Sequence, residues 1–158
     1  IFIKTFFIKP VFFMLLISFI DIYFNIMNIK SSKELVKEAN ETIKIMSPEQ
    51  VKSSYDKGEV TLIDIRDIRE LWKEGTIENA IHIPRGMLEF WLDPQSSYYQ
   101  EKKIGNIKNI VLFCALGLRS ALATKALKEM GFDNVANAEG GFDSLKKAGF
   151  KVIHKEKK

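Results

Sequence analysis

Two hydrophobic periodicities alternate along most of this chain. Short β-branched or continuously apolar runs predict strands at residues 60–65, 81–83, 110–113 and 135–138. Longer patterns between them predict helices at residues 32–45, 47–57, 67–73, 86–92, 118–130 and 142–147. The run 110–113 contains no polar residue, which is typical of a central strand covered on both faces. Alternating strands and helices predict a three-layer α/β/α fold around a mostly parallel sheet of about five strands.

Boundary signals define two of these helices. Ser47, Pro48 and Gln50 form the pattern of an N-cap, a first-turn proline and a capping box, and Gly58 ends that helix. In the helix at 118–130, which Gly131 ends, the pattern places Met130 on the apolar stripe and Thr124 on the polar face. The stretch at residues 93–106 is polar and predicts irregular structure.

The first 26 residues differ in composition from the rest. Lys4 and Lys9 precede an apolar run, as in a signal peptide, but no small-residue cleavage site follows. Asp21 interrupts the run before the roughly 20 apolar residues that a membrane span needs. A membrane anchor and an export signal are alternatives to our preferred interpretation, in which Met27 is the natural start. We therefore predict an apolar segment at 1–26, a helical extension at 27–46, a globular domain at 47–152 and a basic tail at 153–158.

Composition narrows the function classes. The chain has 158 residues, enough for one domain, and a net charge of +4 from scattered basic residues. Without an aromatic platform or an arginine cluster, this charge does not indicate a nucleic-acid partner. The single cysteine, Cys114, excludes an intrachain disulfide, and two distant histidines, His82 and His154, do not have the spacing of metal ligands. We expect neither a metal nor a cofactor, His82 hydrogen-bonded within a strand, and His154 in solvent.

The candidate chemistry lies where the central strand meets the helix at 118–130. Cys114 follows the strand, and Ala115, Leu116, Gly117 and Leu118 connect it to the helix, with Arg119 and Ser120 in the first turn. Backbone N–H groups that converge at a helix N-terminus favour an anion, and the nearby arginine adds positive charge, so a thiolate is favoured there. A lone cysteine at a strand end is usually a small core residue. The glycine, the arginine and the helix start favour the nucleophile instead.

Four residues separate Cys114 from Arg119, whereas protein tyrosine phosphatases have five, and the tighter loop suits a single sulfur atom. The segment 113–120 resembles the active-site loop of rhodanese-domain sulfurtransferases. This resemblance extends over residues 45–150. It includes the Asp64-Ile65-Arg66 motif, a second motif at 75–84 in which Thr76 replaces the usual His, and a closing Gly-Gly segment at 135–149. Residues 85–91 resemble a subgroup of small bacterial single-domain members that is cytoplasmic.

The resemblance implies a sulfurtransferase. Cys114 would take a sulfane sulfur from thiosulfate or a persulfide donor, hold it as a persulfide, and pass it to cyanide or to a protein or low-molecular thiol. The donor would be a small anion bound by the loop residues Ala115, Leu116, Gly117, Leu118, Arg119 and Ser120. Asp64 and Arg66 would support the loop from beneath, and Arg85 would contact the anion. Trp91 would form an apolar wall over the thiol with Phe90 and Leu116, and for the two aromatic residues ordinary packing is an equal alternative.

Two alternatives stay open at this point. One is a non-catalytic persulfide carrier or protein-interaction domain, and the other is a cysteine-dependent phosphatase or arsenate reductase. The short loop disfavours a phosphatase, and the lack of a second cysteine disfavours an arsenate reductase. We expect a cytoplasmic protein, or a membrane-anchored or exported one if residues 1–26 serve as an anchor or signal.

Overall fold

The computed structural model describes residues 14, 15, 17–20, 29–105, 107, 109–154, 156 and 157. The chain divides into two compact units, Ile1–Ser32 and Lys33–Lys158. In the first unit, residues 14, 15 and 17–20 are helical and exposed. Most of the predicted segment 1–26 lies outside the described residues. Among the described helices, none has the length and apolar character that crossing a membrane requires.

A five-stranded sheet forms the centre of the second unit. Its strands are β1 (Lys44–Met46), β2 (Thr61–Asp64), β4 (Ile81–His82), β5 (Ile110–Phe113) and β6 (Val135–Ala138). They lie side by side in the order β1-β6-β5-β2-β4. Every neighbouring pair in this sheet is parallel. β3 (Thr76–Ile77) and β7 (Val152–Ile153) form a separate antiparallel pair. The predicted number of strands in the main sheet and their parallel arrangement are confirmed.

Seven helices pack around this sheet in the described part of the chain: α1 (Ser32–Thr42), α2 (Pro48–Asp56), α3 (Ile68–Glu74), α4 (Leu88–Leu92), α5 (Glu101–Ile104), α6 (Leu118–Glu129) and α7 (Gly141–Lys147). A 3-10 turn at Arg85–Met87 leads into α4. The capping box predicted for α2 is present, because the Ser47 hydroxyl accepts from the Gln50 N–H while the Gln50 side chain accepts from the Ser47 N–H.

The central strand β5 contributes to two hydrophobic cores, one on each face of the sheet. Ile110 and Leu112 join the core that contains side chains of α4, α5 and α6. Val111 and Phe113 join the core that contains side chains of α2 and α7. This division follows from strand geometry, since successive side chains point to opposite faces. All four residues of β5 are buried, as the unbroken apolar run predicted, and the three-layer architecture is confirmed.

Three local predictions are wrong. The helix predicted at residues 32–45 ends at Thr42, and Lys44–Met46 forms β1 because the exposed edge of β6 offers it backbone partners. The polar stretch after residue 93 contains the short helix α5, whose Ile104 is buried. On α6, Met130 is exposed while Thr124 is buried, because the Thr124 hydroxyl donates to the Ser120 carbonyl at 2.8 Å and thereby satisfies its polar group.

Candidate active site

Cys114 lies at the carboxyl edge of the parallel sheet, directly after the central strand β5. Ligands of parallel α/β folds bind at this edge. The residue is only 1% exposed, and its side chain belongs to the core on the α6 face. The Ser120 hydroxyl, on the first turn of α6, lies 3.5 Å from the sulfur and donates to it. The structure therefore brings the predicted nucleophile together with Ser120.

Carbonyl groups of the cysteine loop are held by the elements behind it. The Cys114 carbonyl accepts from the Phe142 N–H at 2.7 Å, and the Ala115 carbonyl accepts from the Asp143 N–H at 3.3 Å. The Asn137 side-chain amide on β6 donates to the Gly117 carbonyl at 3.1 Å. In the described part of the chain, no side chain caps the N-terminus of α6. The first N–H groups of this helix therefore have no side-chain acceptor from a capping residue, and a helix N-terminus favours an anion.

Two glycines permit the close approach of the loop to the turn that follows β6. Gly117 has φ +85°, and a Cβ there would lie 3.3 Å from the Ala138 carbonyl oxygen. A Cβ on Gly141 would lie within 2.7 Å of the Gly117 nitrogen and clash with the Cys114 carbonyl oxygen. Only glycine fits such a backbone-to-backbone contact. The Gly-Gly pair was part of the closing segment of the family resemblance, but the sequence did not predict this packing role.

Arg119 is held by Glu70, a residue that the sequence analysis did not include in the site. The guanidinium donates to both carboxylate oxygens of Glu70, at 2.7 and 2.9 Å. These hydrogen bonds lower the pKa of Glu70 below its ordinary value, and the same bonds raise the pKa of Arg119. The guanidinium also lies near enough to the Cys114 sulfur to interact with it, which raises the Arg119 pKa further. Glu70 thus fixes the position of a guanidinium that interacts electrostatically with the thiol.

The position of Glu70 follows from the start of α3. Asp67 caps this helix by accepting from the Arg69 N–H at 2.9 Å, and the Glu70 carboxylate accepts from the Asp67 N–H at 3.2 Å. This reciprocal pair is a capping box, so the same carboxylate caps α3 and holds Arg119. The pattern Asp67-x-x-Glu70 in the sequence could have located Glu70 at a helix N-terminus. It does not predict the contact with Arg119, which lies 49 residues away.

Asp64 and Arg66 form a fully buried ion pair at the same edge of the sheet. The Arg66 guanidinium donates to Asp64 at 2.8 Å and to the Gly75 carbonyl at 2.7 Å. Asp64 also accepts from the hydroxyl of Thr76 at 2.7 Å. The side chains of Asp64 and Arg66 are 0% exposed. Thr76 therefore supplies a hydrogen-bond donor to this network at the position where the family motif usually has His.

This ion pair reaches the cysteine loop through one aromatic ring. The Arg66 guanidinium carbon lies 3.9 Å from the centroid of the Phe142 ring, and that ring stacks on Phe113. The backbone N–H of Phe142 donates to the Cys114 carbonyl. Arg66 therefore lies behind Phe142, and its contact with the loop is indirect. His82, on β4, approaches the Arg66 carbonyl with its Nε2 at 2.8 Å, so its predicted hydrogen bonding is confirmed.

The residues predicted to contact the anion or to form the apolar wall are Arg85, Phe90 and Trp91, in α4 and the turn before it, and Leu116 in the cysteine loop. Both carboxylate oxygens of Glu89 accept from Arg85, at 2.7 and 2.8 Å. Trp91 packs against the core that contains Cys114. Phe90 and Leu116 are 52% and 59% exposed, and the apolar wall over the thiol stays a prediction. The anion-binding role of Arg85 stays a prediction, and its charge is already paired.

The class of protein follows from this fold and site. The family model of the rhodanese-like domain matches residues 47–148. The chain belongs to the rhodanese-like domain family. Among solved structures, it is similar to the polysulfide-sulfur transferase homodimer of Wolinella succinogenes, with 32% identity, a TM-score of 0.59, and coverage of 77% of this chain and 85% of that one.

The names of two further relatives describe activities other than sulfur transfer. A protein of unknown function from Rhodopseudomonas palustris, described as a possible tyrosine phosphatase, is 39% identical with a TM-score of 0.73, covering 78% of this chain and 95% of that one. The tRNA uridine(34) hydroxylase of Photorhabdus laumondii is 31% identical over 104 residues, 66% of this chain and 28% of that protein. The chain thus spans little more than a quarter of the length of this curated relative.

Proposed function

We propose that this protein is a sulfurtransferase that carries a sulfane sulfur on Cys114. The supporting observation is the position of the thiol: Cys114 follows the central strand, the Ser120 hydroxyl donates to its sulfur, and the Arg119 guanidinium is near enough to interact with it electrostatically. The uncapped N-terminus of α6 adds backbone donors at the same place. This combination stabilises a sulfur anion, whether thiolate or persulfide.

The reaction is a double displacement. The Cys114 thiolate attacks the outer sulfur of thiosulfate or of a persulfide, the new S–S bond forms at Cys114, and the donor S–S bond breaks to release sulfite or a thiol. A thiol or cyanide then attacks the outer sulfur of the Cys114 persulfide and restores the thiolate. In this proposal Cys114 reacts as the thiolate and no separate general base takes part.

Burial shapes what can reach the sulfur. Because Cys114 is 1% exposed, a donor can approach it only with a slim terminal atom, and the outer sulfur of thiosulfate or a persulfide is such an atom. The same burial protects a bound persulfide from water and from bulky thiols. In this proposal Ala115 to Ser120 bind the transferred sulfur, Arg119 orients the anion, and Asp64 and Arg66 support the loop.

The same burial favours a second candidate, in which Cys114 is a packing residue of a non-catalytic interaction domain. Its neighbours in the core are aliphatic, including Ile65, Ile83 and Ala123. The two candidates make different predictions about covalent chemistry. A catalytic thiol gains a sulfur atom from a donor, and a packing thiol does not.

Mass spectrometry after thiosulfate treatment distinguishes them. We expect the intact protein to gain the mass of one sulfur atom on Cys114, and to lose that mass when cyanide is added and thiocyanate appears. The variant Cys114→Ser should keep the fold and show neither change. Thiocyanate formation by this variant at the wild-type rate would refute the assignment of Cys114.

Two comparisons suggest further controls. Turnover of p-nitrophenyl phosphate would support the phosphatase reading suggested by the Rhodopseudomonas relative, which the short loop disfavours. Addition of tRNA should leave sulfur transfer unchanged, since we predict no nucleic-acid partner. These assays should be run on chains that begin at Ile1 and at Met27. The thiol acceptor, the cytoplasmic location and the absence of a cofactor stay predictions.

A further inference from the structure

Positive charge at the candidate site is largely neutralised. Nη1 and Nη2 of Arg119 each donate to a carboxylate oxygen of Glu70, and Nη1 of Arg85 donates to both carboxylate oxygens of Glu89. Arg66 is paired with Asp64 and lies completely buried. An incoming anion therefore meets arginines whose charges are already compensated. Each negative charge that it carries must compete with a resident carboxylate.

The loop itself is apolar and uncharged. Residues 115–118 are Ala, Leu, Gly and Leu, and the side chains of Leu116 and Leu118 are 59% and 55% exposed. Two large aliphatic side chains beside a nucleophile have no role in binding a small hydrated anion. They offer a surface for an apolar substituent, whose burial would remove their area from water.

The two leucines also line a groove of about 170 Å³, together with Asn40, Ile45, Gly117, Asn137, Glu139 and Gly140. Ile45 and the two leucines are its large apolar side chains, and the carboxylate of Glu139 disfavours a doubly charged occupant.

We propose that the site takes a singly charged organic sulfur donor, with an apolar substituent seated on Leu116, Leu118 and Ile45, in preference to thiosulfate. This inference rests on the sulfurtransferase function proposed above and specifies its donor class. Thiosulfate carries two charges and offers no apolar surface. An organic thiosulfonate or persulfide carries one charge and offers an apolar substituent to these side chains.

The sulfur transfer balances for such a donor. With benzenethiosulfonate, the Cys114 thiolate attacks the sulfane sulfur, an S–S bond forms at Cys114, and the S–S bond of the donor breaks. The electron pair leaves with benzenesulfinate, so the persulfide anion and one sulfinate replace the thiolate and the donor anion. No oxidant or reductant is consumed.

The experiment compares three donors with cyanide as the acceptor: thiosulfate, methanethiosulfonate and benzenethiosulfonate. Each kcat/KM is divided by the uncatalysed rate constant of the same donor with cyanide, which removes differences in intrinsic reactivity. We expect the normalised value for benzenethiosulfonate to exceed that for thiosulfate by at least about tenfold. Methanethiosulfonate, which has the single charge but no ring, should fall between them.

Variants with matched controls test the cause. Leu116→Lys replaces an apolar side chain of the loop with a cation. It should lower the ratio of the normalised kcat/KM for benzenethiosulfonate to that for thiosulfate by about threefold to fivefold, which is the size of one exposed charge contact. Met130→Lys makes a similar change at the far end of α6 and should leave the ratio unchanged. Glu70→Gln, which frees Arg119, should also favour thiosulfate, whereas Glu129→Gln should not.

The outcomes separate this inference from the proposed function. The inference is supported if the wild type prefers organic donors and both Leu116→Lys and Glu70→Gln weaken this preference. The controls Met130→Lys and Glu129→Gln should leave it unchanged. If the wild type has an equal or higher normalised kcat/KM for thiosulfate than for benzenethiosulfonate, the inference is overturned while the sulfurtransferase function stands. The inference is also overturned if the control variants change the donor preference as much as Leu116→Lys and Glu70→Gln do. If no donor places a sulfur on Cys114, the proposed function fails and the donor class fails with it.

Discussion

The buried pair Asp64–Arg66 offers a quantitative test of how the fold supports the loop. In Asp64→Ala, the guanidinium of Arg66 loses the carboxylate that accepts from its Nε and Nη2. It keeps the Gly75 carbonyl at 2.7 Å and a longer contact with Glu74 at 3.3 Å. The hydroxyl of Thr76 also loses its acceptor. The guanidinium, which is 0% exposed, then keeps two of its three hydrogen-bond partners and loses its only buried carboxylate.

Breaking a buried pair by removing one partner costs about 3–5 kcal/mol, because the other charge stays buried without compensation. Replacement of both charges by apolar groups is far less costly. We therefore expect Asp64→Ala to lower the free energy of unfolding by about 3–5 kcal/mol, and Asp64→Ala/Arg66→Met to lower it by clearly less than the two single changes added together. The expected coupling is about 2 kcal/mol.

The measurement is urea-induced unfolding followed by tryptophan fluorescence on the two single variants and the double variant. The dependence of the free energy on urea should be equal in all three, so that the midpoints report stability alone. A cost below about 1 kcal/mol for Asp64→Ala, or additive single and double costs, would contradict the assignment of a tightly coupled buried pair.

Three other predictions follow from the site. Gly117→Ala places a Cβ at φ +85° beside a carbonyl, and should cost about 1–2 kcal/mol in urea unfolding and slow persulfide formation. Ser120→Ala removes the donor to the Cys114 sulfur; it should slow persulfide formation about threefold to tenfold in single-turnover mass spectrometry, with the urea midpoint little changed. The third concerns acid. The hydrogen bond from the Arg69 side chain lowers the Asp67 pKa from 3.8 to about 2. Its stabilising contribution should be complete above pH 3.8 and lost as the pH falls toward 2, and Asp67→Asn should weaken this part of the pH dependence of the urea midpoint.

Local chemistry made several elements predictable. The run 110–113 predicts a central strand because only a strand buried on both faces is apolar at every position. Ser47, Pro48 and Gln50 predict the start of α2 because capping depends on residues a few positions apart. The order of Cys114, glycine, arginine and a helix start predicts an anion site, since all of its backbone donors come from one continuous segment.

Short elements were less predictable. Residues 44–46 form a strand because β6 supplies partners 92 residues further along the chain, as in the pairing of Lys44 with Ala136. Thr76–Ile77 forms β3 only because Val152 and Ile153 lie beside it. Such short strands have little intrinsic preference, and the partner strand decides their conformation.

The sequence by itself determined the alternation of strands and helices, the central strand and the position of the single thiol, because each depends on hydrophobic periodicity or on a contiguous motif. Only the tertiary structure decided which carboxylate holds Arg119, how Arg66 reaches the cysteine loop through Phe142, and why Gly141 must lack a side chain. The physical reason is range: these contacts join segments tens of residues apart. Charge pairing and close packing act between whichever groups the folded chain brings together.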